Sequence, residues 1–147
     1  RNFLYFIIVL FPNSQILVDD AACDFKEICN KSCYVDENYP LFNNKRSIEK
    51  NVEFALKKSK LNLSSSDIKQ LFEISDVYFK LSLGKTGNER LRCMSAIGYA
   101  YGKNVFCFPW ISKKHMEYYA RNIFRLLDIL SDQHKFIILP TNYTLRT

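Results

Sequence analysis

Residues 112–131 read SKKHMEYYARNIFRLLDILS. Met116, Tyr119, Ala120, Ile123, Phe124, Leu127 and Leu130 recur at the three- and four-residue steps of one helical face. Lys114, Glu117, Arg121, Arg125 and Asp128 fall on the opposite side. Ser112 stands where an N-cap hydroxyl would accept from the first free backbone N–H groups. The spacing predicts one long amphipathic helix whose apolar side packs on a core.

Working outward, Phe108-Pro109-Trp110 breaks the pattern ahead of this helix. Leu91, Met94, Ile97, Tyr101 and Val105 then share one side, which predicts a helix over 89–107. GKTGN (84–88) punctuates the chain before it, with Gly84 placed as a helix C-cap. Ile68, Leu71, Phe72, Ser75, Tyr78 and Phe79 make a further stripe. Ser64 with Asp67 approximates a capping box at its start. Ser47 caps another candidate helix, with Ile48, Val52, Ala55, Leu56 and Ser59 on one face. Lys50, Lys57, Lys58 and Lys60 lie on the other. Residues 34–46 read as irregular, and 22–33 as a short helix carrying the first three Cys. The run FIIL before Pro140 reads as extended. These patterns predict an all-α, single-domain bundle of four to five helices over 23–147, with a short extended C-terminal tail.

The chain has 147 residues, 48% of them hydrophobic and 15% aromatic, with a formal net charge of +6. That composition excludes a disordered chain and suits one domain with its own core. Four Gly and four Pro leave little material for a many-turned β-sandwich or a glycine-rich nucleotide loop. Residues 3–11 (FLYFIIVLF) follow Arg1 and are too few to cross a bilayer as a helix. They fit a secretory signal spanning 1–22, and a buried β-strand would read the same way. The signal reading predicts a secreted protein, with disulfides allowed.

All five cysteines, Cys23, Cys29, Cys33, Cys93 and Cys107, lie beyond residue 22 and are disulfide candidates. Cys29 and Cys33 have C-x3-C spacing, unlike the C-x2-C of a zinc knuckle. No metal or other cofactor is expected. Along one continuous helix, Cys93 and Cys107 would be about 21 Å apart, and a disulfide needs Cα atoms within about 7 Å. Each should therefore pair with the cluster at Cys23, Cys29 and Cys33.

No catalytic motif stands in the sequence. LGKTG (83–87) is not a P-loop, because Phe79 occupies the position of the first Gly and a helical pattern precedes it. His115 and His134 are the only histidines, and they belong to no H-E-x-x-H or G-x-S-x-G pattern. A Cys–His pair in space would make a small thiol-dependent enzyme. Residues 67–88 have a helix-turn-helix flavour and resemble the first reading unit of AraC-type regulators. The would-be reading helix offers Lys80 and Lys85 and is otherwise apolar, so nucleic acid is a poor partner. Basic residues are the remaining feature: Lys57, Lys58 and Lys60, then Lys113, Lys114, Arg121 and Arg125. A basic surface with exposed aromatics fits an acidic glycoprotein or an anionic membrane. An apolar patch would allow a homodimer.

Several short pieces are collinear with a known family. They are Tyr34-Val35-Asp36, Phe42 with Asn44-Lys45, Glu53 through Ala55-Leu56-Lys57, and Leu63-Ser64. Arg90-Leu91, Ile97-Gly98 and an aromatic stretch ending in Lys114 and Met116 follow. In these the chain resembles the sperm lysins of abalone and their acrosomal paralogue. The resemblance implies a small secreted helical bundle stored in the acrosome. It implies non-enzymatic binding to the egg vitelline envelope or the egg membrane during fertilisation. Lys57, Arg90 and Lys114 are the matching basic positions. Lysins are more basic and lack this cysteine content, which leans the resemblance toward the paralogue and membrane fusion.

Overall fold

The computed structural model describes residues 16–18, 21–23 and 25–141. Two short strands, β1 (Ile16–Val18) and β2 (Ala21–Cys23), pair antiparallel, with Leu17 opposite Ala22. Then come α1 (Phe25–Lys31) and β3 (Ser32–Tyr34). Four helices follow: α2 (Ile48–Lys58), α3 (Ser65–Leu71), α4 (Asp76–Lys80) and, after two 3-10 turns at Leu83–Lys85 and Gly87–Glu89, α5 (Arg90–Ala100). The chain finishes with β4 (Val105–Cys107), α6 (Lys113–Asp132) and β5 (Phe136–Ile138).

The three later strands form one parallel sheet in the order β3-β4-β5. Cys33, Phe106 and Ile137 stand level across it. Parallel neighbours need long crossovers, usually helical. Here α2 to α5 join β3 to β4, and α6 joins β4 to β5. The expected all-α bundle is therefore corrected to a mixed α/β fold.

The reason lies at the end of α5. The apolar stripe runs through to Val105, but the helix stops at Ala100. Gly102 takes a φ of 77°, and its N–H closes onto the Tyr99 carbonyl at 2.8 Å. That left-handed turn frees Val-Phe-Cys to join the sheet. A helix and a buried strand give the same signal over so short an apolar run. The FIIL tail likewise becomes β5. The helix expected over 22–33 divides into β2, α1 and β3.

The helix expected from Ser64 onward also divides. Ser64 caps α3 as a full capping box with Asp67. Glu73 then takes a φ of 53°, and Ser75 becomes the N-cap of α4, accepting from the Tyr78 N–H. Gly84 sits in a 3-10 turn rather than closing a helix. Ser47 and Ser112 cap α2 and α6.

α5 runs through the middle of the molecule, with every residue from Cys93 to Gly98 buried. Phe72, Ile97, Phe106, Met116 and Leu127 share its core. Cys29, Cys33, Cys93 and Cys107 are free thiols. The expected disulfides of Cys93 and Cys107 with Cys29 or Cys33 are thus not formed, and the Cys23 side chain lies outside the described residues. Cys93 sits on a helix facing the core and Cys107 on a strand, so the one-helix geometry behind that expectation does not exist. Residues 3–11, read as a signal or a strand, also lie outside the described residues. No described helix is long and apolar enough to cross a membrane.

Candidate functional site

Parallel sheets bind ligands beyond the carboxyl ends of their strands, where the crossover loops diverge. In this chain that edge carries Val35-Asp36-Glu37 after β3, Phe108 to Ile111 after β4, and Leu139-Pro140-Thr141 after β5. The loops are tied together. The Val35 N–H donates to the Cys107 carbonyl at 2.8 Å, Phe108 to Ile138 at 2.9 Å, and Ile111 to Pro140 at 3.0 Å.

A cavity of about 360 Å³ opens beside Trp110 and Ile111. One wall is the turn Gly87-Asn88-Glu89 and the first residues of α5, Arg90 to Arg92. The other is α6, through His115, Tyr119 and Asn122, with Ile123 and Leu126 behind them. Trp110 is the only tryptophan and is 61% exposed. The His115 ring stacks on Tyr119 with centroids 5.9 Å apart. The Ser112 hydroxyl lies 3.2 Å from His115 Nδ1.

The arginines at this wall are held by carboxylates. Arg90 Nη1 pairs with Glu37, and its Nη2 donates to the Gly84 carbonyl at 2.9 Å. Arg92 Nε lies 3.3 Å from Glu89. Neither Arg90 Nε nor Arg92 Nε has a well-aligned hydrogen-bond acceptor, and both are buried. Glu89, the N-cap of α5, makes no side-chain capping bond. A helix start with guanidiniums beside it attracts anions.

Of the basic residues singled out in the sequence, only Arg90 lines this cavity. Lys57 and Lys58 end α2, and Lys60 follows it, all exposed. Lys113, Lys114 and Arg121 are exposed on α6. Arg125 Nε donates to both Glu73 carboxylate oxygens, at 3.0 and 3.1 Å. That bond holds the Glu73 carboxyl below its ordinary range. Trp110, Tyr119, Asn122 and Arg92 were not singled out, and Phe108-Pro109-Trp110 was read only as a helix breaker.

The helix-turn-helix alternative fails on geometry. α4 spans five residues, about 7.5 Å, too short to act as a reading helix in a major groove. Burial pushes the Cys33 and Cys93 thiols up to about 12, where the nucleophilic thiolate is scarce. Among the described residues no group of three His, Cys, Asp or Glu side chains could hold a metal ion.

No family model and no curated protein matches the sequence. Solved structures do. A bacterial ABC transporter cassette, solved as a dimer, matches with a TM-score of 0.55 at 11% identity. The match covers 86% of this chain and 62% of that one. The same ATP-binding cassette, in a post-hydrolysis state bound to ADP and Pi, matches with a TM-score of 0.55 at 13% identity. That match covers 86% of this chain and 61% of the cassette. The fold is similar to part of that of these cassettes.

The chain thus spans about three-fifths of the cassettes it matches. The cassette fold overturns the reading as a secreted, non-enzymatic binding protein of fertilisation. That reading took an all-α bundle with a basic and aromatic surface, and the neighbours are ATP-binding cassettes, one of them in a post-hydrolysis state. The associated expectations of gamete recognition, membrane fusion and disulfide stapling are corrected with it.

Proposed function

We propose that this chain is a working part of an ATP-binding-cassette ATPase, and that the cavity between the start of α5 and α6 takes the nucleotide. The observation that carries the reading is the position of the cavity. In a cassette fold it lies at the carboxyl edge of the parallel sheet, against a helix start flanked by Arg90 and Arg92.

A phosphate chain entering there replaces Glu37 and Glu89 as the partner of the two guanidiniums. Arginine suits this exchange, because its planar fork binds carboxylate and phosphate in the same way. The positive end of α5 adds to that attraction. Trp110 offers an aromatic face beside the pocket for the base. Hydrolysis is attack of water on the γ-phosphorus. A new P–O bond forms, the bond to the β-phosphate oxygen breaks, and ADP and Pi result. Those two products are bound in one of the neighbours. Glu89, which lines the cavity and is released from Arg92, is the carboxylate at hand to take the proton of that water. The dimeric state of the neighbouring cassette makes a second cassette the natural partner.

Trp110 reports on the pocket directly. Titration of the protein with MgATP should quench or shift its emission saturably, and Arg90→Gln should weaken the effect about ten-fold or more. Phosphate release above the buffer rate should accompany it and fall in Glu89→Gln. An emission spectrum indifferent to MgATP and MgADP, with no phosphate released, would overturn the reading.

A further inference from the structure

Several cations of this molecule are neutralised by a neighbouring carboxylate. Lys69, Arg90, Arg92 and Arg125 are each paired with an acid. Those around α2 are not. Lys50, Lys57, Lys58 and Lys60 are exposed, and none forms an ion pair with a described acidic residue. The inner face of α2, Ile48, Asn51, Val52 and Ala55, is buried in the core. Its outer face therefore carries the basic residues into solvent.

An aromatic sits among them. Phe54 is 42% exposed, with the Arg46 guanidinium 5.2 Å from its ring centroid and the Lys58 ammonium at 5.5 Å. Lys50, Phe54 and Lys57 fall on one outward stripe, being four and three residues apart. Glu49 and Glu53 flank this stripe and leave it net positive.

We propose that this face of α2 docks on an anionic phospholipid surface. Specific capture of a peptide calls for a groove, pockets or forked arginines. Here the charges are mostly lysine, hydrated point charges on flexible stems, and the one arginine lies against Phe54. Such an array suits a plane of anionic headgroups, which needs charge rather than fixed geometry. Lysine stems let the ammonium groups reach the headgroups, and an exposed aromatic sits at headgroup level. The proposal is independent of the nucleotide reading.

The test uses the intact protein and sedimentation with vesicles of phosphatidylcholine, with and without phosphatidylserine. Binding should require phosphatidylserine and fade as salt rises. The variant K50Q/K57Q/K58Q should bind about ten-fold or more weakly, while K50R/K57R/K58R keeps wild-type binding. The control K114Q/R121Q on α6 should change little. Unchanged circular dichroism and melting in each variant confirm that the fold is intact, and the Trp110 response to MgATP should be the same in all of them. Equal vesicle binding by the glutamine variant would overturn the proposal. So would tighter binding to duplex DNA than to phosphatidylserine vesicles, which would make the partner a polynucleotide.

Discussion

Gly98 lies so close to Cys33 that a β-carbon on it would stand 2.6 Å from the Cys33 sulfur and 3.1 Å from the Phe106 ring. α5 therefore rests its backbone directly on the sheet. Gly98→Ala gains helix propensity of about 1 kcal/mol. It also forces the sulfur and the ring to move in a closed core, at a cost of about 1–3 kcal/mol. The overpacking should win, so the variant should unfold at lower denaturant. Cys33→Ala in the same chain should recover part of the loss, because the nearest clashing atom is gone. A single variant as stable as wild type would show that the sheet can retreat.

Asn51 organises the turn that leads into α2. It is 4% exposed. Its side-chain amide donates to the carbonyls of Asn43, Arg46 and Ser47 at 3.0, 3.2 and 3.0 Å, and its oxygen accepts from the Asn43 N–H at 3.0 Å. Asn51→Leu keeps the bulk and strands those backbone groups. Each buried orphan costs about 1–3 kcal/mol, so a large loss of stability is expected in a denaturant melt. Asn44 in that turn donates to the Glu37 carbonyl at 3.0 Å, and Glu37 pairs with Arg90, so the Trp110 response to MgATP should weaken too. Asn51→Asp keeps one acceptor and loses the donors, and should be nearly as damaging.

Glu73 and Arg125 tie the end of α3 to α6. The hydrogen bond from Arg125 lowers the Glu73 carboxyl, so the native state holds the carboxylate more firmly than the unfolded chain does. The stabilisation is present above the unfolded value, about 4.3, and is lost as pH falls through the native one. Both side chains are nearly half exposed, so solvent screens the pair and the effect is small. Wild type should melt slightly higher than Glu73→Gln at neutral pH. The gap should close in acid and narrow in high salt. A gap that persists unchanged at pH 2 would mean that the carboxylate is not its source.

Much of this fold was legible, and the missing part has a definite cause. The serine caps at 47, 64 and 112 and the stripe of α6 are local signals, and the structure keeps them. The sheet is not local. Each of its strands has three residues, too few to show alternation, and their pairing joins segments separated by whole helices. Val105 continued the α5 stripe, so the strand was hidden inside a helical pattern. Gly102 was the one residue that could have exposed it. The site suffered in the same way. Arg90 was visible as a charge, but Trp110 and Tyr119 gain meaning only once β4 brings its following loop against α6.

The cysteines give the sharpest chemical contrast. Burial pushes Cys33 and Cys93 up to about 12, which leaves about one thiolate in ten thousand at pH 8. Cys29 is exposed on α1. In a Cys23→Ser background, iodoacetamide at pH 8 should modify Cys29 first. Cys33 and Cys93 should react only as the protein opens, so their labelling should track the unfolding transition in denaturant. Cys107 is partly buried, and its thiol is also raised by burial, so it should fall between the two. Mass spectrometry of the labelled peptides gives the order. Rapid native labelling of Cys93 would mean that α5 is not the buried centre of the molecule, and the cavity built on its first turn would lose its wall.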